Sequence, residues 1–457
     1  MLTVRNPAND EVLAELPTAD KPKIEQAWQQ AQAAQQIWAQ TSYLQRSKII
    51  TEFKRLLETE GQEAAELLSS EMGKPVHQAA GEIRGTCARI HWFLEHTPKE
   101  LTPEAIHVAS PMTENISYEP LGVIANISAW NFPYFVGTNV FIPALLTGNA
   151  VLYKPSEFAS LTGLRIGTLL KKSGLPDGVF QVLIGGQSTG EALSALPLNG
   201  MFFTGSQQTG NHIAQKVASR FVRLGLELGG KDPAYICDDA DVKTAAETVA
   251  DGAFYNAGQS CCAVERIYVH KNIYQEFMQH FLAFAATLKI GDPKDPKTYM
   301  GPLARKAQLE ILEDQIQDAL AKGAELALKG GRRTGPGNFF DPTILTHVNQ
   351  KMKVMQEESF GPIIGIQIVS DDEEALALMN DSVFGLTSSV HSNNQERAVK
   401  IMQRLNCGTV YWNCCDRVSP YLPWTGRKGS GLGSTLSHLG IKAFLQPKAW
   451  HLKDLSV

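Results

Sequence analysis

The chain has 457 residues, enough for roughly three folding units at about 150 residues each. Apolar residues make up 43% and charged residues 19%, an ordinary globular balance that excludes a disordered chain. Its 42 Lys and Arg against 47 Asp and Glu give a formal charge of -5, and without a basic cluster this argues against nucleic acid or an anionic membrane as the main partner. The opening residues MLTVRNPANDEVLAELP do not read as a secretory leader, and no run approaches the ~18 apolar residues of a membrane-spanning helix. The 7 cysteines include no CxxC spacing and there is no HExxH, so neither a disulfide scaffold nor a metal site is expected. The cytoplasm is the default compartment.

The first hundred residues predict amphipathic helices. Ala27, Trp28, Ala31, Ala34 and Ile37 recur at helical spacing, and Ile49, Ile50, Phe53, Leu56 and Leu57 repeat the pattern. From residue 118 strands and helices alternate. Short apolar runs at 122–127, 150–153, 180–184 and 201–204 predict strands. Between the second and third a helix is expected, capped by Ser160 and stopped at Gly174-Leu175-Pro176; another follows Gly190. After Asp232 come a strand at 234–237, a helix from about Val242 and a strand at 266–270. The pattern implies two α/β domains with parallel sheets, and KGGRRTGPGN at 329–338 reads as a surface loop of the second.

Five short segments could carry chemistry. In NAGQSCC (256–262) a cysteine follows residues that leave room for a ligand; the alternative is a buried, inert thiol. In ELGGKDP (227–233) a Glu stands before two glycines, as a mobile general base would, or as a solvated loop carboxylate. SAWNFP (128–133) ends a predicted strand, where Asn131 could donate to an oxyanion or cap the next helix. Lys154 and Glu157 in KPSE could bind ribose hydroxyls. Gly205 and Ser206 in FTGSQQTG (203–210) precede a helix start suited to pyrophosphate. Residues 185–190 lack the Lys-Ser/Thr of a P-loop.

Together with EESFGP (357–362) and the 424–433 segment, these motifs occur in the order and approximate spacing of aldehyde dehydrogenases, and the chain resembles that family from Asn6-Pro7 to its end. The resemblance implies a doubly wound Rossmann-like cofactor domain (1–101 and 121–228), an α/β catalytic domain (229–430) and a small β oligomerisation arm (102–120 and 431–457). It implies NAD(P)-dependent oxidation of an aldehyde to its acid, without coenzyme A. Cys261 would be the nucleophile, Asn131 and the Cys261 N–H the oxyanion donors, and Glu227 the base that activates water. Ser128, Trp130, Lys154, Ser156, Glu157, Gly205, Ser206, Gly210, Leu228, Gly229, Glu358 and Phe360 would contact the cofactor. A carboxylate at Glu157 favours NAD, with NADP possible. A homodimer or homotetramer follows by resemblance.

The pattern also departs from relatives. Succinate semialdehyde dehydrogenases carry arginines at the positions of Asn139 and Tyr255, so a neutral aliphatic or aromatic aldehyde is expected, with succinate semialdehyde as the alternative. A tunnel lined by Tyr134, Phe135, Tyr255 and Trp412 would suit a neutral aldehyde; these residues read equally as core aromatics. The late motif reads Pro423-Trp424-Thr425-Gly426, and Ser434-Thr435 follow Gly433 where relatives place Arg-Glu. A coenzyme A-acylating enzyme or a non-catalytic protein of this fold is less consistent with the presence of both Cys261 and Glu227. Cys262, Cys414 and Cys415 read as bystanders, although Cys262 could form a vicinal disulfide with Cys261.

Overall fold

A computed structural model describes residues 1–456. Val457, the last residue of the expected arm, lies outside the described residues.

A short antiparallel pair, β1 (Leu2–Arg5) and β2 (Val12–Leu16), precedes four helices. In α1 (Lys21–Gln40) the Asp20 side chain accepts the Lys23 N–H at 3.0 Å, and α2 (Tyr43–Thr59) opens on a capping box of Ser42 and Gln45. α3 (Gly61–Met72) ends at Gly73, whose φ of 85° closes the turn before α4 (Val76–Leu101). Ile50, Phe53, Leu57, Leu68, Ile90 and Phe93 form the buried stripe of this layer, each contributing about 1.5–3 kcal/mol by leaving water.

The chain then builds β3 (Glu104–Ala109) and β4 (Met112–Pro120), which pair with the late strand Leu445–Lys453 in a separate three-stranded antiparallel sheet. The first large sheet follows: β5 (Val123–Ile127), α5 (Pro133–Leu146), β6 (Ala150–Lys154), α6 (Ser160–Lys172), β7 (Phe180–Val182), α7 (Gln187–Ala195), β8 (Gly200–Thr204), α8 (Gln207–Val217) and β9 (Arg223–Glu227). Its order is Gly431–Leu432, β9, β8, β5, β6, β7, parallel throughout except at Gly431–Leu432. β5 and β6 are buried on both faces, which is why they read as unbroken apolar runs. The order runs outward from β5 to β7 and returns to β8 on the other side of β5. The crevice at the carboxyl ends of β5 and β8 is therefore a topological switch point.

The second large sheet has seven strands, ordered Glu325–Leu328, Thr343–Thr346, Ile363–Val369, β11 (Val264–His270), β10 (Asp232–Ile236), Thr387–His391 and Thr409–Trp412. α9 (Val242–Phe254) links β10 to β11. Both large sheets, with helices packed on them, give the doubly wound α/β class.

Local expectations shift in three places. Ser160 is the first residue of α6 and does not cap it; the buried carboxylate of Glu71 on α3 does, accepting the N–H groups of Leu161 (2.6 Å) and Thr162 (2.9 Å). α7 begins at Gln187, so Gly190 sits inside it. The 329–338 stretch is the turn of a two-rung hairpin between Gly331–Arg332 and Phe340–Asp341.

Candidate active site

Between the two large sheets lies a cleft of about 1490 Å³, lined by the loops that leave β5, β6, β8 and β9 and by the turn that follows α9. Cys261, Glu227 and Asn131 all face it.

The loop that carries Cys261 is shaped by backbone that few sequences tolerate. After α9, Asn256, Ala257 and Gly258 take φ values of 51°, 57° and 71° in succession. At Gly258 a Cβ would meet the Gly361 carbonyl oxygen at 2.4 Å, so only glycine fits the turn. Its peptide groups are then tied down. The Gln259 carbonyl accepts from the amides of both Asn131 and Asn256 at 3.2 Å, and Gln259 Oε1 accepts the Ala304 N–H at 2.9 Å. Cys261 emerges half-buried, and its N–H has no partner among the described residues. Gly230 lets the β9–β10 connection pass beneath, because a Cβ there would come within 2.6 Å of the Cys261 carbonyl oxygen.

Asn131 belongs to a loop clamped from below. Glu82 on α4 accepts the Tyr134 N–H at 2.9 Å at the start of α5 and forms a buried ion pair with Lys74. The Lys74 ammonium also sits 3.6 Å over the Phe132 ring. Asn131 does not cap α5. One of its amide N–H groups holds the Gln259 carbonyl, which joins the Asn131 loop to the Cys261 loop and leaves the second N–H for a ligand.

Glu227 ends β9. Its Oε1 accepts the Thr435 hydroxyl and its Oε2 that of Thr204 at 3.5 Å. Part of the residue faces the cleft, yet the protein packed around the carboxyl pushes its pKa up to about 7, against the opposing pull of the Thr435 hydrogen bond and the Arg89 charge. Cys262 is buried and donates to Asp416 at 3.0 Å; hydrogen bonding with Cys261, then burial and the Asp416 charge, hold its pKa well above the usual thiol value. Cys414 and Cys415 line the same cleft with pKa values raised by burial.

Eleven of the twelve residues expected to contact a cofactor line the cleft; Gly210 does not. Gly210 is buried on α8, where a Cβ would lie 2.5 Å from the Leu228 side chain, so it serves helix packing. The other residues fit a dinucleotide. Ser206 caps α8 through the Thr209 N–H, presenting a helix N-terminus to the cleft. The buried Lys154 ammonium makes one hydrogen bond, to the Pro155 carbonyl at 3.3 Å, and stands 4.0 Å from Glu157, so it keeps donors free for hydroxyl groups. Trp130 meets Phe360 edge-on at 5.5 Å. Glu358 accepts the Gly230 N–H at 3.0 Å, and burial followed by the nearby Glu265 pushes its pKa up to about 8.

Several supporting residues are absent from the sequence reading. Glu265, paired with Lys231 at 2.6 Å, accepts the Ser359 and Phe360 N–H groups and so holds the 357–362 loop. Its only signal is Lys231 inside ELGGKDP. Arg89 on α4 donates to Asn139 at 3.1 Å and lines the cleft, so a cation reaches the Asn139 position from fifty residues away. The expectation of a neutral aldehyde rested on Asn139 and Tyr255 and on a tunnel of four aromatics. Of the four suggested tunnel aromatics, Phe135 and Tyr255 line the cleft. Tyr134 is core, and Trp412 donates to the Ser392 carbonyl outside the cleft.

The sequence model of the aldehyde dehydrogenase family matches residues 1–450. The chain is 34% identical to the succinate semialdehyde dehydrogenase [NAD(P)+] Sad of Escherichia coli K12, covering 96% of this chain and 95% of that one. It is 33% identical to the peroxisomal aminoaldehyde dehydrogenase 1 of Pisum sativum, over 97% and 90%. Betaine aldehyde dehydrogenase of Staphylococcus aureus, solved in complex with NAD+, superposes with a TM-score of 0.95 at 30% identity, over 99% and 91%. With the matched length, the shared fold and a cleft of this chemistry, the chain belongs to the aldehyde dehydrogenase family.

Proposed function

We propose that this enzyme oxidises an aldehyde to its carboxylic acid through a covalent acyl group on Cys261. One observation carries the assignment. A half-buried thiol, an amide with a free N–H and a carboxyl poised near pH 7 converge on one cleft from two loops and the end of β9.

The Cys261 sulfur, as thiolate, adds to the aldehyde carbon, and the oxygen that gains charge lies against the Asn131 amide and the Cys261 N–H. Such donors act on charge that exists only after attack, which is why they accelerate it. Held by residues such as Lys154, Ser206 and Glu358, NAD(P)+ would supply a two-electron acceptor for the aldehydic hydrogen. The substrate carbon is then a thioester on Cys261. Glu227 takes a proton from water, the water oxygen bonds to the thioester carbon, the C–S bond breaks, and the acid leaves with the thiolate restored. A base with a pKa near 7 matches this task at neutral pH. Cys262, held protonated beside Asp416, takes no part.

The first sheet, with residues 1–101 and 121–228, is assigned to the cofactor and the second, within 229–430, to the nucleophile. Glu157 supports NAD over NADP, because its carboxylate beside Lys154 would repel a 2′-phosphate. The sheet of β3, β4 and Leu445–Lys453 exposes Ile106, Val108, Trp450 and Leu452 along its strands, which supports pairing between copies of the chain. Seven free cysteines fit a reducing compartment such as the cytoplasm, and no helix among the described residues is long and apolar enough to cross a membrane.

Purified protein mixed with NAD+ or NADP+ and a panel of aldehydes, without coenzyme A, tests the reading. Reduced cofactor and free acid should form together, and Cys261→Ala should abolish both. Acid formation that requires coenzyme A would contradict it.

A further inference from the structure

Among the charged groups of the cleft, Arg89 stands apart. Its residue is 6% exposed, and it lies on α4, a rigid helix, not on a loop. Its guanidinium stacks 3.8 Å over the Phe135 ring, donates to Asn139 Oδ1 at 3.1 Å and reaches the Val418 carbonyl at 3.4 Å. Neither acceptor carries charge, and among the described residues no carboxylate lies within ion-pair distance, although the charges of Glu82 and Glu227 act on it from farther off.

Arginine offers five N–H donors in a fixed fork, and burying its charge without an anion is costly. The buried carboxylates nearest this part of the cleft have other partners, and Glu227, whose charge acts on Arg89 from a distance, is held by Thr435 and Thr204. Glu82 holds Lys74 and the start of α5, Asp416 accepts from Ser260 and Cys262, and Asp251 accepts the Tyr299 hydroxyl. Burial lowers the Arg89 pKa to about 10, which leaves it charged at neutral pH. The result is a desolvated cation whose direct contacts are all neutral and which lines the cleft. Phe135, Asn139 and Val418, the three groups that orient it, all line the cleft as well.

We infer that Arg89 is the specificity residue for an aldehyde that carries a carboxylate or similar oxyanion away from its carbonyl. The inference rests on the reaction proposed for Cys261 and names the substrate class of that site. On binding, the anion takes the open side of the guanidinium, while Asn139 and Phe135 keep the fork in place. An Asn at 139 is then a holder for the cation, not a sign of its absence.

The test compares oxo-carboxylates of two to five carbons (glyoxylate through glutarate semialdehyde) with neutral aldehydes of matching length, for wild type, Arg89→Gln and Arg89→Lys. One chain length of the anionic series should exceed its neutral counterpart in kcat/KM by about 10-fold or more, mainly through KM. In Arg89→Gln the anionic-to-neutral ratio should fall by about 30-fold. Arg89→Lys should recover part of it, since it keeps the charge and loses the fork. A purely structural role would lower both series together and leave the ratio unchanged, which would overturn the inference. The wild-type comparison stands even where a variant fails to fold. Turnover of neutral aldehydes without preference for anions, or preference for a cationic aminoaldehyde, overturns the inference and leaves the reaction intact. No turnover of any aldehyde with either cofactor overturns both.

Discussion

Thr435 donates its hydroxyl to Oε1 of Glu227 across 208 residues of sequence, joining the last segment of the chain to the end of β9. The bond favours the ionised carboxylate, whereas burial opposes it, and the balance sets Glu227 near 7. Thr435→Val should therefore raise the Glu227 pKa further. The rising limb of the pH–rate profile should move to higher pH, with activity at pH 7 reduced about 10-fold and recovering in alkaline buffer. A uniform loss at every pH would show that Thr435 acts only on structure.

The same carboxyl affects stability with a definite sign. Its folded value, about 7, lies above its ordinary 4.5, so between those values the folded state binds the proton that the unfolded chain has released. Stability from this group is therefore lost as pH rises from about 4.5 to about 7. Glu227→Gln should raise the unfolding midpoint at pH 8 relative to wild type and leave it unchanged near pH 4. Equal midpoints at pH 8 would show that the carboxyl ionises without cost.

Asn131→Ala removes one of the two proposed oxyanion donors and should lower kcat by about 10²–10³-fold. Because the same amide also holds the Gln259 carbonyl, Asn131→Asp is the companion variant. It keeps the size but places an acceptor where the oxyanion forms, and it should be at least as slow. Rates within about threefold of wild type for either would remove Asn131 from the mechanism.

Lys231 and Glu265 pair at 2.6 Å with almost no exposure, and Glu265 also anchors the backbone at Ser359 and Phe360. Lys231→Met leaves a buried carboxylate alone and should cost about 3–5 kcal/mol, read by urea unfolding. Adding Glu265→Leu should restore part of that loss, while raising the KM for the cofactor because the 357–362 loop loses its anchor. A KM equal to that of the wild type in the double variant would contradict the anchoring role.

What could be read from sequence divides by distance along the chain. Strand β6 was legible because four apolar residues are bounded by Asn149 and the Lys154-Pro155 turn, and the loop that carries Cys261 because its residues sit together in one motif. The cap of α6 was misread as Ser160 because the true acceptor, Glu71, lies ninety residues upstream. Arg89 escaped notice for the same reason: a charged residue on an amphipathic helix reads as solvent-facing until Asn139 and Phe135 are packed against it. Ser434-Thr435 read as a departure from pattern; its use became visible only when Gly431–Leu432 paired with β9 and brought Thr435 to Glu227.

A covalent acyl group on Cys261 can be trapped by removing the base that hydrolyses it. Glu227→Gln, incubated with NAD+ and a turned-over aldehyde, should accumulate the acyl-enzyme, because attack and oxidation remain while hydrolysis stalls. Intact mass followed by peptide mapping should place one acyl group on Cys261, and adding Cys261→Ala should abolish it. An acyl group on Cys262, Cys414 or Cys415, or undiminished turnover after loss of Cys261, would contradict the account.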